Sequence, residues 1–272
     1  MSTRIISVTT DFGVQSQGLG VMEAVAYSIA PDAKYINLMH GLPSYQLAPA
    51  ARTLETTIFL PVGNHVCVVD PGVGSRRLGV ILATKRGDYL IGPDNGVLLP
   101  AASMLGGITS CNVLENPEYM LHPISPLFHA RDVFIPAAAH AAKGVPPDNF
   151  GNRLPTDLLV DAPYGEAIPV NGVIQASVIH INAFGAIIFN ISHQTWDSSC
   201  PPLGQPVILK RQNKEAIVAT HGSTYSDVGE FQPVIMRDDY GRVEVAINRG
   251  SIAKAYDIVL GEEFSISMRK TG

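Results

Sequence analysis

The chain has 272 residues, of which 46% are hydrophobic and 16% are charged. This composition is typical of a folded globular protein with a sizeable buried core, and it excludes a disordered chain. With 19 basic against 24 acidic residues, a net charge of −5 and no basic run that could follow a phosphate backbone, the sequence also argues against nucleic acid as a partner.

Two further features bear on where the protein works. No stretch reaches the roughly 20 uninterrupted apolar residues of a membrane-spanning helix, and the N-terminus lacks the pattern of a secretion signal. Cys67, Cys111 and Cys200 lie far apart, without the spacing of a disulfide framework or a thiolate zinc site. We therefore expect a cytoplasmic protein with buried, reduced cysteines and no membrane contact.

The first half of the chain alternates β-like and helical segments. In chain order the pattern predicts elements over 5–8, 20–30 (helix), 35–38, 48–59 (helix), 65–69, 79–83, 89–91 and 133–143 (helix). In the last helix, Pro136 fits the first turn and Gly144 the stop. Alternation of this kind predicts βαβ units, so residues 1–160 are expected to form an α/β domain with a central, mostly parallel sheet.

The second half has a different pattern. A loop-like, proline-rich stretch between about 146 and 170 marks the domain boundary. Short β-like runs follow it, over 172–180, 186–191, 205–210, 216–220, 232–236, 243–247 and 264–268. Because long helical periods are scarce there, residues 170–272 are expected to form a small all-β, barrel-like domain. Two domains of these classes commonly bind a ligand where they meet.

Four segments place polar residues where predicted strands end or a helix begins, which is the edge at which open α/β sheets bind ligands. In the first, Thr9–Gly13, Asp11 fits a sugar diol or an Asx turn equally well. The second follows a strand and is rich in glycine, so its backbone can approach a ligand. It also places Asp70 and Arg77 where they can meet across a turn or form a surface ion pair.

The third and fourth segments are less specific. Asp94 and Asn95 belong to an Asp-Asn-Gly turn, which serves structure at least as well as ligand binding. His129 can act as an acid, a base or a ligand, and Asp132 can cap or orient. The spacing of His129 to neighbouring histidines matches no standard zinc site, so we expect no metal.

Two common nucleotide-binding classes are excluded by these segments. The Asp-Phe-Gly string precedes the His-Ala-Arg-Asp string, which is the reverse of the kinase order, and the kinase lysine strand is missing. The sequence also contains no GxxxxGK(S/T) string, so it is not that of a P-loop protein.

Taken in order, the four segments resemble the family of S-adenosyl-L-methionine (SAM) hydrolases, also called SAM hydroxide adenosyltransferases. That family is related to the fluorinase and chlorinase that make 5′-halo-5′-deoxyadenosine. The resemblance covers nearly the whole chain, through TTDFG, VVDPGVGSRR, PDNG and FHARDVFIPAAAH, with a weaker echo in INAFGA and YGRVEVA. The DPGVG turn and the histidine match the hydrolytic branch, since both are altered in the halogenases.

The resemblance implies an N-terminal α/β domain, a C-terminal β-barrel-like domain and a homotrimer whose active sites lie between subunits. It implies SAM as the substrate, no cofactor, and a water-activating triad of Asp70, Arg77 and His129. The implied substrate contacts, with adenine and methionine held by the C-terminal domain, are Asp11, Tyr45, Asp94, Asn95, Phe128, Ala130, Asn182, Phe184 and Asp239.

The implied chemistry has a clear physical basis. Departure of the sulfonium as neutral methionine makes the ribose C5′ a good displacement centre, so the enzyme must chiefly deliver a nucleophile in line. Bulk water holds its proton with a pKa of about 15.7. An arginine beside the water would stabilise developing hydroxide, and an Asp-tethered histidine or arginine would orient the water or take its proton. We therefore expect hydrolysis to adenosine and L-methionine, with Asp11 on the ribose diol.

Some positions depart from the family pattern. Ser16 stands where aspartate is usual, Asn182 and Ala186 replace aspartate and asparagine, and Asp238-Asp239 replaces Asn-Ser. A carboxylate at 239 would repel the carboxylate of methionine, and Ala186 has no amide to hydrogen-bond. The departures therefore concern the methionine end of the substrate and not the water.

Three alternatives to SAM hydrolysis are considered. The departures are compatible with a diverged member that acts on a different SAM-like or nucleoside substrate in specialised metabolism, and with a non-catalytic module that binds SAM or adenosine. Halogenation is the least favoured, because His129 and the Asp70–Arg77 pair suit water better than a desolvated halide.

Overall fold

The computed structural model describes residues 5–268. The chain divides into two compact units, one extending to Pro163 and the other beginning at Tyr164. No helix within the described range has the length and apolar character that crossing a bilayer requires.

The first unit is built from strands and helices in alternation. Its strands within residues 5–163 are β1 (Ile5–Thr10), β2 (Lys34–Met39), β3 (Gly63–Val68), β4 (Gly79–Thr84), β5 (Tyr89–Pro93) and β6 (Ile108–Val113). Its α-helices are α1 (Gln17–Ile29), α2 (Leu47–Glu55), α3 (Leu99–Met104) and α4 (Ile135–Ala142). A π-helical turn, Ala130–Phe134, leads directly into α4. Short 3₁₀ turns lie at Thr56–Phe59, Pro117–Tyr119, Pro147–Asn149 and Thr156–Leu158.

The strands of this unit form one mixed sheet in the order β2-β1-β3-β5-β4-β6. The first four are parallel, whereas β4 runs antiparallel to both β5 and β6. The predicted mostly parallel sheet is therefore wrong in its second half. Residues 85–88 alone join β4 to β5, and a link this short permits only a hairpin, since parallel neighbours need a crossover of about a dozen residues.

The core of the first unit lies against the central strands. Both β1 and β3 are buried along their whole length, as strands covered on two faces should be. One face packs against α1 and α4, where the small side chains of Ala137, Ala138 and Ala141 let the helix approach the sheet closely. Gly144, with φ of +97°, ends α4, as predicted from its position after the helical pattern.

The second unit is mainly β-structure. Its strands within residues 164–268 are β7 (Pro169–Val170), β8 (Val173–Ile181), β9 (Ile187–Ser192), β10 (Pro206–Lys210), β11 (Ile217–His221), β12 (Pro233–Arg237), β13 (Arg242–Ile247) and β14 (Glu263–Met268). Two short helices, α5 (His193–Asp197) and α6 (Ile252–Ala255), and a 3₁₀ turn at Tyr225–Asp227 complete it.

These strands close into a barrel, which confirms the barrel-like prediction. The order β8-β14-β10-β11-β12-β13-β9 returns to β8, so seven strands of the described part of the unit form the ring, and β7 pairs outside it with β8. Alternate residues of β8, such as Ile174, Ala176 and Val178, point into a core that also holds Phe189 and Phe264. Closure pairs the strand edges that an open sheet would expose.

Candidate active site

The candidate site lies at one edge of the mixed sheet. Asp11 follows β1, Asp70 follows β3 and Asp94 follows β5, and these strands are parallel neighbours, so their carboxyl ends meet at that edge. A cavity of about 250 Å³ opens there, lined by Asp11, Phe12, Ser44, Tyr45, Val68, Asp70, Val73, Leu127, Phe128, His129 and Ala130.

Asp70, Arg77 and His129 form a continuous hydrogen-bonded chain at this cavity. Nε of Arg77 donates to both carboxylate oxygens of Asp70, at 2.9 and 3.0 Å, and its Nη2 donates to Asp70 as well. The same Nη2 lies 2.8 Å from Nδ1 of His129. Only 12% of the Arg77 side chain and 6% of the Asp70 side chain are exposed, so the ion pair is largely withdrawn from solvent.

The contact with Arg77 fixes the hydrogen-bonding state of His129. A guanidinium only donates hydrogen bonds, so Nδ1 must accept and the ring proton of the neutral imidazole must sit on Nε2. Burial lowers the pKa of His129 below its ordinary value, and the Arg77 charge lowers it further, against smaller opposing effects of Asp70 and Asp132. His129 is thus neutral near pH 7 and carries Nε2–H as a donor.

The loop of six residues between Asp70 and Arg77 explains how these two side chains come together. Val73 N–H donates to the carbonyl of Asp70, and Ser75 N–H donates to that of Gly72, giving two successive turns. Gly74 has φ of +77°, and a Cβ there would lie 2.7 Å from the carbonyl oxygen of Pro126. Glycine is therefore required at this position by both conformation and space.

Asp11 is held at the cavity by the backbone of a neighbouring loop. Its Oδ2 accepts a hydrogen bond of 2.8 Å from the N–H of Tyr45, a residue with φ of +64° that is 72% exposed. This leaves Oδ1 and the remaining lone pair of Oδ2 as acceptors for a ligand hydroxyl.

His40 supports the Asp11 loop and was missed by the sequence reasoning. It follows β2, is buried, and its Nδ1 lies 2.9 Å from Oγ1 of Thr10 while its carbonyl accepts from Gly13 N–H at 2.8 Å. Burial lowers its pKa, which favours the neutral ring. The signal in the sequence was the position of His40, because a histidine directly after the strand next to β1 lies at the same sheet edge as Asp11. The cavity-lining residues Phe12, Ser44, Val73 and Leu127 were not singled out either.

Of the predicted substrate contacts in the first unit, Asp11, Tyr45, Phe128 and Ala130 line the cavity, whereas Asp94 and Asn95 do not. The carboxylate of Asp94 accepts from Val160 N–H at 3.1 Å, and burial raises its pKa. The amide of Asn95 donates to the carbonyl of Val69 at 2.9 Å. Both residues hold the backbone at the same sheet edge, and a direct ligand contact from either stays a prediction.

The other predicted contacts belong to the second unit. Oδ1 of Asn182 accepts from the N–H groups of Phe184 and Ala186, at 3.0 and 3.1 Å, which shapes the turn between β8 and β9. Phe184 on this turn is 83% exposed. Asp239 is exposed on the turn between β12 and β13. It contributes to raising the pKa of Tyr225, after burial and the hydrogen bond from Tyr225 to Glu244.

The described residues contain no cluster of three His, Cys, Asp or Glu side chains arranged to hold a metal ion. The chemistry available at the cavity is that of its carboxylates, its guanidinium and its imidazole. Two acceptors, Asp11 and Asp70, and one N–H donor, His129, face the same space. Such a set can hold a polar ligand and orient a water molecule.

The sequence comparisons with known proteins identify one family and its relatives. The sequence matches the family model for the SAM hydroxide adenosyltransferase N-terminal domain over residues 6–151 and that for its C-terminal domain over residues 176–265. It is 32% identical to the (R)-S-adenosyl-L-methionine hydrolase of Salinispora arenicola over 98% of both chains. The fluorinase of Nocardia brasiliensis matches at 21% identity over 94% of both.

A solved structure has the same fold. The structure of an uncharacterized conserved protein from Thermotoga maritima superposes with a TM-score of 0.89 at 27% sequence identity, covering 97% of this chain and 100% of that one. The similarity therefore extends over both units and not over one domain alone.

Proposed function

The chain belongs to the SAM hydroxide adenosyltransferase family, and from this premise we propose that it hydrolyses SAM to adenosine and L-methionine. The observation that carries the proposal is the Asp70–Arg77–His129 chain at the cavity, because it combines a donor for the oxygen of water with a carboxylate for its proton.

His129 orients the attacking water. Its Nδ1 is engaged by Arg77, so its Nε2–H donates to the water oxygen, and Asp70, which lines the same cavity, accepts a hydrogen bond from the water. The water is thereby held with a lone pair directed at C5′. As the C5′–O bond forms, the C5′–S bond breaks and its electron pair stays on sulfur as neutral thioether. One proton of the attacking water stays on the new 5′-hydroxyl, and the other goes to Asp70 and then to solvent.

Asp11 holds the ribose. With Oδ2 bound to the N–H of Tyr45, the carboxylate is fixed in orientation and still has acceptor capacity for the two ribose hydroxyls. The rings of Phe12 and Phe128, 5.9 Å apart in an edge-to-face arrangement, supply an apolar wall beside it. This arrangement excludes water from one side of the sugar while leaving the triad side open.

We further propose that neighbouring subunits complete the site in a cytoplasmic homotrimer. A cavity of about 250 Å³ is smaller than the roughly 300–1,000 Å³ typical of sites that enclose a ligand of this size. Val14, Tyr45 and Leu127 are each more than 70% exposed, which favours their burial by another chain. Asn182, Phe184 and Asp239 of the C-terminal domain would then contact the adenine and methionine ends.

The reaction is tested by incubating the purified protein with SAM in halide-free buffer made with heavy-oxygen water. We expect adenosine carrying one heavy oxygen at C5′, detected by mass spectrometry, together with methionine. Binding of SAM without any product would support a non-catalytic module instead. Absence of both binding and turnover would favour a different substrate.

The pH dependence of kcat/KM provides a second test. Protonation of His129 would remove the lone pair that accepts from Arg77 and place two cations side by side. Burial and the Arg77 charge lower the pKa of His129, and the smaller effects of the Asp70 and Asp132 charges, which raise it, do not cancel this. We therefore expect kcat/KM to be constant near neutral pH and to fall only below about pH 6.5. In a His129→Gln variant, which has no group to protonate there, this acid limb should disappear. An acid limb that is centred above pH 6.5 would contradict the assignment.

A further inference from the structure

One wall of the cavity is formed by a segment without regular structure. Residues 121–128, all of them described, form neither helix nor strand, yet they supply Leu127 and Phe128 to the cavity and lead directly into His129. An irregular segment keeps a defined position only if specific contacts hold it. The contacts that hold this one converge on Asp132.

The backbone of Asp132 anchors the start of the segment. Its carbonyl oxygen accepts a hydrogen bond of 2.8 Å from the N–H of Leu121. Pro136 stands four residues further along and has no N–H to donate to that carbonyl, so an α-helical partner is missing. The π-helical turn and Pro136 thus leave an acceptor that ties the segment to the helix carrying His129.

The side chain of Asp132 anchors the end of the segment. The residue is 0% exposed, and its Oδ2 accepts from Ser125 N–H at 2.8 Å, while Oγ of Ser125 accepts from Leu127 N–H at 3.2 Å. Arg131 donates to the same carboxylate through Nε at 2.6 Å and Nη2 at 2.8 Å, and its guanidinium lies 5.2 Å from the centre of the Phe128 ring.

Residues 121–128 in turn pack against the loop between Asp70 and Arg77 and against the start of α1. The carbonyl of Pro126 packs where a side chain at Gly74 would be, so the turn between Asp70 and Arg77 rests against it. The ring of Phe128 packs against Gly18 at the start of α1, where a Cβ would lie 3.1 Å from the ring. A shift of residues 121–128 would therefore move both ends of the Arg77 hydrogen-bond chain relative to each other.

We propose that Asp132 is a positioning residue for SAM hydrolysis: its buried carboxylate and its carbonyl hold residues 121–128 so that Phe128 and His129 face Asp70 and Arg77. The proposal rests on the hydrolytic function proposed above. Asp132 lies outside the lining of the cavity and acts through the segment, not on the substrate.

Asp132→Asn keeps the size of the side chain but weakens its bonds to Arg131 and Ser125. We expect kcat/KM for SAM to fall by about tenfold or more, with KM raised, at temperatures well below the melting temperature. Asp88→Asn is the matched control, because Asp88 is also 0% exposed and also accepts from an arginine and a backbone N–H, at the amino ends of β3 and β5. That variant should lose thermal stability while KM stays unchanged.

A double-mutant cycle with Phe128→Ala separates positioning from stability. Since Asp132 acts through Phe128, the losses in kcat/KM should be less than additive. If Asp132→Asn does not fold, Arg131→Gln, at a side chain 31% exposed, replaces it with the same expected rise in KM. Unchanged kcat/KM, or additive losses, would overturn the positioning role alone. A wild-type protein that releases no adenosine from SAM would overturn the proposed function and this inference with it.

Discussion

Replacing Arg77 with methionine is expected to lower kcat for SAM hydrolysis by about 10²- to 10³-fold. The substitution removes the donor that engages Asp70 and His129 together, so Asp70 is left as a largely buried, unpaired carboxylate and the proton of His129 is no longer directed to Nε2. Methionine retains the apolar stem that packs near Phe134, which limits the effect on folding. Single-turnover formation of labelled adenosine measures the loss.

The neighbouring arginine provides the matched control. Arg76 is exposed on the same loop, and Arg76→Met removes an equal charge without touching the hydrogen-bond chain. Its kcat should stay within about twofold of wild type. Arg77→Lys should behave as Arg77→Met does, because an ammonium lacks the planar fork that bonds both Asp70 oxygens. Full activity in either Arg77 variant would show that the Asp70–Arg77–His129 chain is not the water site.

Removing the imidazole of His129 should have a similarly large effect. In His129→Ala we expect kcat to fall by about 10²- to 10³-fold, while the dissociation constant for SAM, measured by calorimetry, changes little, because His129 is proposed to contact the water and not the substrate.

Two amide substitutions distinguish a donor from a base at this position. Glutamine places an N–H near the site of Nε2, whereas asparagine places an oxygen near Nδ1, where it can accept from Arg77 but cannot reach the water. If His129 donates to the water, His129→Gln should retain clearly more activity than His129→Asn or His129→Ala. Equal inactivity of all three variants would show instead that His129 removes the proton.

The overall fold was largely predictable because its elements have local signatures. The central strands β1 and β3 are continuous apolar runs, and the second half of the chain has short runs at close spacing. The segments that escaped prediction lack such signatures. Strand β6 carries Thr109, Ser110 and Asn112 within six residues, and α3 is a short helix with Pro100 at its start. The antiparallel direction of β4 was within reach of the sequence, because the predicted runs over 79–83 and 89–91 leave a link too short for a crossover.

The candidate site was likewise predictable only in part. The sequence by itself determined which groups follow the ends of β1 and β3, and it paired Asp70 with Arg77, because a glycine-containing loop of six residues brings them together locally. Only the tertiary structure decided that His129 accepts from Arg77, a contact across 52 positions. It also decided that Asp94 and Asn95 bond to backbone groups, and that Asp132 holds a wall of the cavity. Sequence patterns indicate which residues are buried. Which donor bonds to which acceptor depends on the groups that tertiary packing brings within hydrogen-bonding distance of each other.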